Sequence, residues 1–244
     1  MVRASSVAVI GAGLIGALCL TTPVSAQTRP SIADQIAKTY GFDSFGQVEA
    51  IRYTFSLDAG ALKLHRSWVW EPKKDQITYE GPDKEGKPVK VTYLRSQLAS
   101  QSSFVKEVVD PGFFNDQYWL LFPFHLIWDT GATITDDGMK KLPLGKGSAR
   151  KVVVQYPASG GGYLPGDTWA LFVGPDHRIR ELAFRHGGTA KPSVVLATWE
   201  GYKKAGPFLF STQHRGKADG HPFTESLSNI AVKLAGSDTW IEAR

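Results

Sequence analysis

Three glycines near the start of the chain have the spacing of a phosphate-binding loop. Gly11, Gly13 and Gly16 follow a short apolar run and fit the pattern G-x-G-x-x-G, which holds the pyrophosphate of a dinucleotide. That chemistry requires a helix of several turns after the third glycine, whereas Pro23 would end such a helix after one or two turns. The glycine spacing therefore does not predict a dinucleotide site.

The same stretch is typical of a secretory signal peptide. Arg3 is the only charged residue before position 27, residues 7–20 are uncharged and apolar, and small residues lead up to a cleavage site at Ala26. We therefore predict export to the periplasm with cleavage after Ala26. Residues 27–244 are then expected to form a single domain.

Composition excludes several chemistries. The single cysteine, Cys19, lies in the predicted leader, so the exported chain would have no thiol nucleophile and no disulfide. Leu18 stands where a lipoprotein signal needs a small residue, which argues against lipidation. The net charge of +5 comes from scattered lysines, so we expect no nucleic-acid partner. The six histidines show no H-x-H or H-x-x-x-H spacing, and we expect no metal and no cofactor.

Hydrolytic chemistry has two sets of candidates. Ser211, Asp219 and His221 are the residue types of a catalytic triad, but no G-x-S-x-G motif surrounds the serine, and the segment around Asp219 has the composition of a turn. Asp116 or Asp129 could instead serve an exported hydrolase acting on a small hydrophobic or glycan substrate. That enzyme is one alternative reading of the sequence.

The elements that must position these residues are mostly strands. Residues 30–40 predict a helix because Ile32, Ile36 and Tyr40 recur at four-residue spacing. Residues 51–57 alternate apolar and polar side chains, as in a half-buried strand. Further strands are predicted at 62–70, 76–80, 89–94, 132–135, 150–156, 167–173, 178–184, 193–202, 209–215 and 226–234. About 11 strands joined by turn-forming residues indicate a sandwich, a barrel or a large curved antiparallel sheet.

The first hairpin predicts the inward face of the sheet. On the first strand we expect Ile51, Tyr53, Phe55 and Leu57 to point inward, because they alternate with polar residues. On the second strand the corresponding inward residues are Leu62, Leu64, Trp68 and Trp70.

One helical segment is apolar on nearly every side. Residues 95–109 lose the strand alternation and are predicted to be helical, and a second helix begins at Asp110-Pro111 and is expected to end at Pro123. Such a segment must be buried or face an apolar partner. Its rings either fill the core or cover a binding cavity. Asn115 and Asp116 either anchor the helix end through hydrogen bonds or contact a ligand head group at the mouth. For His125 the alternatives are a histidine of the core or rim and a polar residue of the same mouth.

Four short motifs stand out in the chain: Asn115-Asp116-x-Tyr118-Trp119-Leu120-x-x-Pro123-Phe124, Asp129-x-Gly131, Gly166-Asp167-x-Trp169 and Trp199-x-x-Tyr202. Together they resemble the LolA/LolB/LppX superfamily of periplasmic lipoprotein carriers, and in particular its lipoprotein-sorting-like branch.

This resemblance implies a mainly β fold with a few helices: a single curved, incompletely closed antiparallel barrel of about 11 strands with helices covering the mouth. It implies a non-enzymatic carrier that holds a lipid, an acyl chain or another hydrophobic molecule. A membrane surface or a lipoprotein would be its further partner, and we expect a monomer. The alternative to the carrier and the hydrolase is a structural or assembly factor with a filled core.

The predicted cavity combines aromatic residues of the strands and of the apolar helix. The lining residues are expected to be Tyr53, Phe55, Trp68, Trp70, Tyr118, Trp119, Phe122, Phe124, Trp128 and Trp169, and the polar mouth is expected to contain Asn115, Asp116 and His125.

Overall fold

The computed structural model describes residues 29–159, 163–187 and 193–244. The predicted leader with Cys19 and its cleavage site lies outside the described residues. No helix within the described ranges is long and apolar enough to cross a membrane.

The described chain is built from two α-helices, four short helical segments and many strands. The α-helices are α1 (Ser31–Thr39) and α2 (Asp110–Trp128); 3₁₀ segments span Phe42–Gln47, Pro72–Lys74 and Arg95–Ser100, and a π-helical segment spans Val105–Val109. The strands are β1 (Val48–Ala59), β2 (Leu62–Glu71), β3 (Gln76–Pro82), β4 (Pro88–Leu94), β5 (Thr133–Lys141), β6 (Ser148–Gln155), β7 (Thr168–Val173), β8 (Ile179–Arg185), β9 (Val194–Thr198), β10 (Lys203–Ala205), β11 (Phe208–Phe210), β12 (Gln213–Ala218), β13 (His221–Leu234) and β14 (Trp240–Glu242).

Most of these strands belong to one antiparallel sheet. Its order is β4-β3-β2-β1-β13-β12-β9-β8-β7-β6-β5, with β14 added beside β13, while β10 and β11 form a separate hairpin. The end strands β4 and β5 do not pair with each other, so the sheet is not closed. The predicted mainly β, antiparallel and incompletely closed architecture is confirmed.

A single helix contacts strands that are far apart in this sheet, which shows that the sheet is curved. Six strand-to-strand steps separate β2 from β7, and in a flat sheet these would span about 29 Å. Yet Asp116 Oδ2 lies 2.8 Å from Trp68 Nε1 on β2, and the Tyr118 ring lies 6.3 Å from the Trp169 ring on β7. Because a helix is only about 10–12 Å across with its side chains, the sheet must wrap around α2.

The predicted inward face of the first hairpin is buried in its middle and exposed at its tip. Ile51, Tyr53 and Phe55 are buried beneath the sheet, and Trp68 on β2 is buried with them. The register places Leu62 on the same face as Leu64 and Trp68, as predicted, but Leu62 is 52% exposed. It pairs with Ala59 at the tip of the hairpin, the last pair before the turn.

Helix α2 runs through Pro123, and the prediction that this proline ends the helix is wrong. The helix is instead distorted at Leu121, whose φ of −122° and ψ of 17° are not helical. A proline ring clashes with the preceding turn and removes one backbone donor, and a local kink relieves that clash. Fourteen of the 19 residues of α2 are buried, so tertiary packing holds the kinked helix together.

Two predicted strands are interrupted where side chains hydrogen-bond to the backbone. The strand predicted at 193–202 ends at Thr198, and the one predicted at 209–215 is divided between β11 and β12. At the break, Ser211 Oγ donates to Glu200 O at 2.7 Å and Thr212 Oγ1 donates to Gly201 O at 2.6 Å. Such local bonds compete with the strand ladder.

Candidate functional site

Two cavities flank helix α2. The larger has a volume of about 370 Å³ and lies between α2 and strands β7 to β9. Its walls are Pro111, Phe114, Asn115, Tyr118, Trp119, Tyr163, Leu164, Asp167, Trp169, Phe184, His186 and Val195. This volume falls within the range of small-molecule sites, about 300–1,000 Å³.

The sheet side of the larger cavity is a row of inward residues on three neighbouring strands. Trp169 on β7 lies directly opposite Phe184 on β8, and Phe184 lies opposite Val195 on β9. The Trp169 and Phe184 rings are 4.6 Å apart. On the helix side, Asn115, Tyr118 and Trp119 share one face because they are three and four residues apart. The cavity walls therefore follow from strand register and helical periodicity together.

A few polar groups border this apolar space. Trp169 Nε1 is buried and has no acceptor among the residues that the structure describes. Asp167 accepts a hydrogen bond from the Gly187 backbone N–H at 2.7 Å and lies 3.0 Å from His186 Nδ1. Burial raises the pKa of Asp167, while these two partners act in the opposite direction. Apolar walls with a small number of placed polar groups are typical of ligand sites.

The smaller cavity, of about 310 Å³, lies on the other flank of α2, next to the end of β2. It is lined by Phe45, Trp70, Pro72, Asp75, Arg95, Phe113, Gln117, His125 and Trp128. Phe45, Trp70 and Trp128 pack against one another with ring centroids 4.7 to 6.4 Å apart.

A hydrogen-bonded group of side chains separates the two cavities. The Tyr118 ring, which faces the larger cavity, stacks at 3.7 Å on the ring of His125, which faces the smaller one. Asp129 accepts hydrogen bonds from the hydroxyls of Tyr118 and Tyr156, each at 2.6 Å. Burial alone would raise the pKa of Asp129, but hydrogen bonds from His125 and the two tyrosines outweigh it and lower the pKa.

The imidazole of His125 lies between the side chains of Asp129 and Gln117. Burial lowers the pKa of His125, although Asp129, 3.1 Å from Nδ1, acts in the opposite direction. Nδ1–H therefore donates to the carboxylate. On the other side of the ring, His125 Nε2 lies 3.0 Å from Gln117 Oε1.

A buried ion pair joins α2 to the sheet. Arg66 on β2 donates to both carboxylate oxygens of Asp116, with Nε at 2.9 Å, and Trp68 Nε1 donates at 2.8 Å. Burial raises the pKa of Asp116 to about 6, and Arg66 and the hydrogen bonds from Asn115 and Trp68 keep it from rising further. The carboxylate is thus occupied in fastening the helix.

The predicted site residues separate into three groups. The larger cavity is lined by Asn115, Tyr118, Trp119 and Trp169. The smaller cavity is lined by Trp70, His125 and Trp128. The remaining predicted residues are buried and line neither cavity: Tyr53, Phe55, Trp68, Asp116, Phe122 and Phe124. Phe122 stacks on Trp169 at 4.4 Å and acts as core packing. Of the lining residues that sequence reasoning missed, Phe184 and Val195 lie in predicted strands, where alternation could have indicated them.

The structure does not assemble the triad or a metal site. Ser211 precedes β12 and binds Glu200 O, whereas His221 begins β13 beside Ala218, at the opposite end of β12. Among the described residues, no group of three or more His, Cys, Asp or Glu side chains is placed to hold a metal ion.

No family model and no curated protein sequence matches this chain. Its fold is similar to the solved structure of a DUF1329 family protein from Desulfovibrio piger, with 11% sequence identity over 85% of this chain and 94% of that chain and a TM-score of 0.45. It is also similar to an outer membrane lipoprotein-sorting protein domain from Vibrio parahaemolyticus, with 9% identity over 85% of this chain and 93% of that chain and a TM-score of 0.47. A third similar structure is the lipoprotein LppX of Mycobacterium tuberculosis, with 10% identity over 83% of this chain and 96% of that chain and a TM-score of 0.28. At these identities and TM-scores, the similarity assigns neither a ligand nor an activity to this chain.

Proposed function

We propose that this protein is a non-enzymatic binding protein of the periplasm that holds an acyl chain or a similar hydrophobic molecule beside α2. The observation that carries the proposal is the cavity of about 370 Å³ between α2 and strands β7 to β9. Its walls are largely aromatic and aliphatic, so an apolar occupant loses contact with water and gains contact with an apolar surface.

The size of the cavity sets the scale of binding. Each buried methylene contributes about 0.8 kcal/mol, so six methylenes contribute about 5 kcal/mol before the costs of association. The volume lies near the lower end of the range for small-molecule sites. A single acyl chain, or the end of a longer one, is therefore the occupant that fits best.

One end of the ligand is expected to be polar. The Trp169 ring lines the cavity, whereas its Nε1 is buried and has no acceptor in the described part of the chain. Asn115 on the facing helix uses its amide nitrogen to donate to Asp116, which leaves its carbonyl oxygen for a ligand donor. A hydroxyl or amide group at one end of the acyl chain would donate to this carbonyl oxygen.

The carboxylates considered for catalysis have other partners. Both oxygens of Asp116 are bound by Arg66, and Asp129 receives two tyrosine hydroxyls and His125. These contacts support a binding role without a catalytic acid.

Two neighbouring substitutions on β9 test the proposal. Val195 lines the cavity and Val194 does not, because successive strand residues point to opposite faces. We expect Val195→Trp to fill the cavity and to weaken binding of dodecanoate, measured by isothermal titration calorimetry, at least tenfold. Val194→Trp should bind as the wild type does. Equal affinities for the two variants, or no binding by the wild type, would contradict the proposal.

A further inference from the structure

The hairpin of β5 and β6, at one edge of the sheet, presents apolar side chains to solvent. Met139 is 66% exposed and Leu144 is 37% exposed. Single exposed apolar side chains are common on protein surfaces, so these two indicate a contact surface only together with the charge beside them. The hairpin tip, residues 139–147, is therefore a candidate surface for an interaction.

The same tip carries unpaired positive charge. Lys140, Lys141 and Lys146 are exposed, and none of them has a carboxylate partner in the described part of the chain. Further along the hairpin, by contrast, Arg150 and Lys151 are neutralised by carboxylates of β5. The tip thus combines three free lysines with two exposed apolar side chains.

A buried carboxylate holds the tip in one conformation. Glu181 on β8 accepts hydrogen bonds from the backbone N–H groups of Leu144 and Gly145, each at 2.7 Å. A Cβ at position 145 would lie 2.6 Å from Glu181 Oε1, so only glycine allows this approach. Leu142 packs on a small apolar cluster that contains Phe172. The exposed side chains are therefore presented by an ordered loop.

We propose that this hairpin docks the protein on an anionic lipid bilayer, with Leu144 and Met139 in the interface and the three lysines at the level of the head groups. Lysines on an edge strand also discourage strand pairing, but that role gives no reason for two exposed apolar residues among them. Apolar side chains that enter the interface and basic residues that meet anionic lipids act together in peripheral membrane binding. This surface is separate from the cavity beside α2, and the proposal does not depend on the occupant of that cavity.

Vesicle flotation with the full chain tests this inference. The vesicles are phosphatidylcholine alone or phosphatidylcholine with 30% phosphatidylglycerol. We expect binding only to the anionic vesicles. The variant Lys140→Gln/Lys141→Gln/Lys146→Gln should lose about fivefold in partitioning per lysine, or about 100-fold in total. Leu144→Ser should lose about tenfold, because its side chain no longer enters the interface.

Matched controls separate the hairpin from overall charge and from the cavity. Lys203→Gln/Lys204→Gln/Lys217→Gln removes the same charge from exposed positions elsewhere and should partition within threefold of the wild type. Val195→Trp should also partition as the wild type does, so that a failure of ligand binding is distinguishable from a failure of docking. The inference is overturned if the wild type does not bind anionic vesicles, if both triple variants lose binding equally, or if Leu144→Ser partitions like the wild type.

Discussion

The ion pair between Arg66 and Asp116 fastens α2 to β2, and we expect Arg66→Met to destabilise the protein strongly. Asp116 is fully buried, whereas Arg66 is 14% exposed along its side chain. Methionine preserves much of the apolar volume of arginine but leaves the carboxylate with only the hydrogen bonds from Trp68 and Asn115. The variant therefore isolates the electrostatic partner of a buried charge.

The expected loss is about 3–5 kcal/mol at pH 8, the usual cost of leaving one member of a buried pair uncompensated. The loss should be smaller at pH 5, because Asp116 can then take up a proton. In the wild type, burial raises the pKa of Asp116 from 3.8 to about 6, so the folded state holds this proton more tightly than the unfolded state. This group therefore stabilises the fold most below pH 3.8, and that contribution, about 3 kcal/mol, disappears as the pH rises through 6.

Urea unfolding at pH 5 and pH 8 measures both effects. A double-mutant cycle with Asp116→Leu should show that the double variant is less destabilised than the sum of the single variants, with a coupling of about 3 kcal/mol. Arg180→Met is the matched control, since Arg180 pairs with Asp176 at an exposed site and should cost no more than about 1 kcal/mol. A loss below 1 kcal/mol for Arg66→Met, or strict additivity in the cycle, would refute this reasoning.

Three further substitutions test the packing and the hydrogen bonds of α2 by urea unfolding. Phe122→Ala should cost about 3–5 kcal/mol, because the ring is fully buried against Trp169; a cost under 1.5 kcal/mol would show that the ring is not core. Gly112→Ala should destabilise by about 1 kcal/mol net, since its Cβ would lie 2.9 Å from Arg66 Nη1 and overpacking of about 1–3 kcal/mol exceeds the gain in helix propensity of about 1 kcal/mol; a gain in stability would contradict the close contact. Tyr156→Phe should cost about 1.5–3 kcal/mol at pH 7 and less at pH 3, because the lowered pKa of Asp129 means that its hydrogen bonds favour the ionised form; equal costs at both pH values would contradict that assignment.

The strands could be predicted because their side-chain pattern is local. The alternation through Ile51, Tyr53 and Phe55 required one buried face, and those three side chains are buried. The apolar character of 110–129 likewise required burial on all sides, and α2 is enclosed by the sheet. A segment in which every second residue is apolar, or a helix that is apolar on all sides, therefore indicates from local sequence alone which side chains are buried.

The cavities could not be predicted because they depend on contacts between distant segments. The row of Trp169, Phe184 and Val195 exists only through the register of three strands, which local sequence does not specify. The partner of Asp116 is Arg66, 50 residues earlier in the chain, and nothing near either residue indicates the pair. The same holds for Pro123, whose effect on the helix depends on whether tertiary packing compensates for the kink.

Native mass spectrometry of the protein purified from its host tests the central claim most directly. We predict that the wild type carries one additional hydrophobic molecule, which is removed by delipidation and restored by dodecanoate, and that Val195→Trp carries none. A wild-type protein that shows no added mass and takes up no dodecanoate after delipidation would contradict the claim that the space beside α2 is a binding cavity.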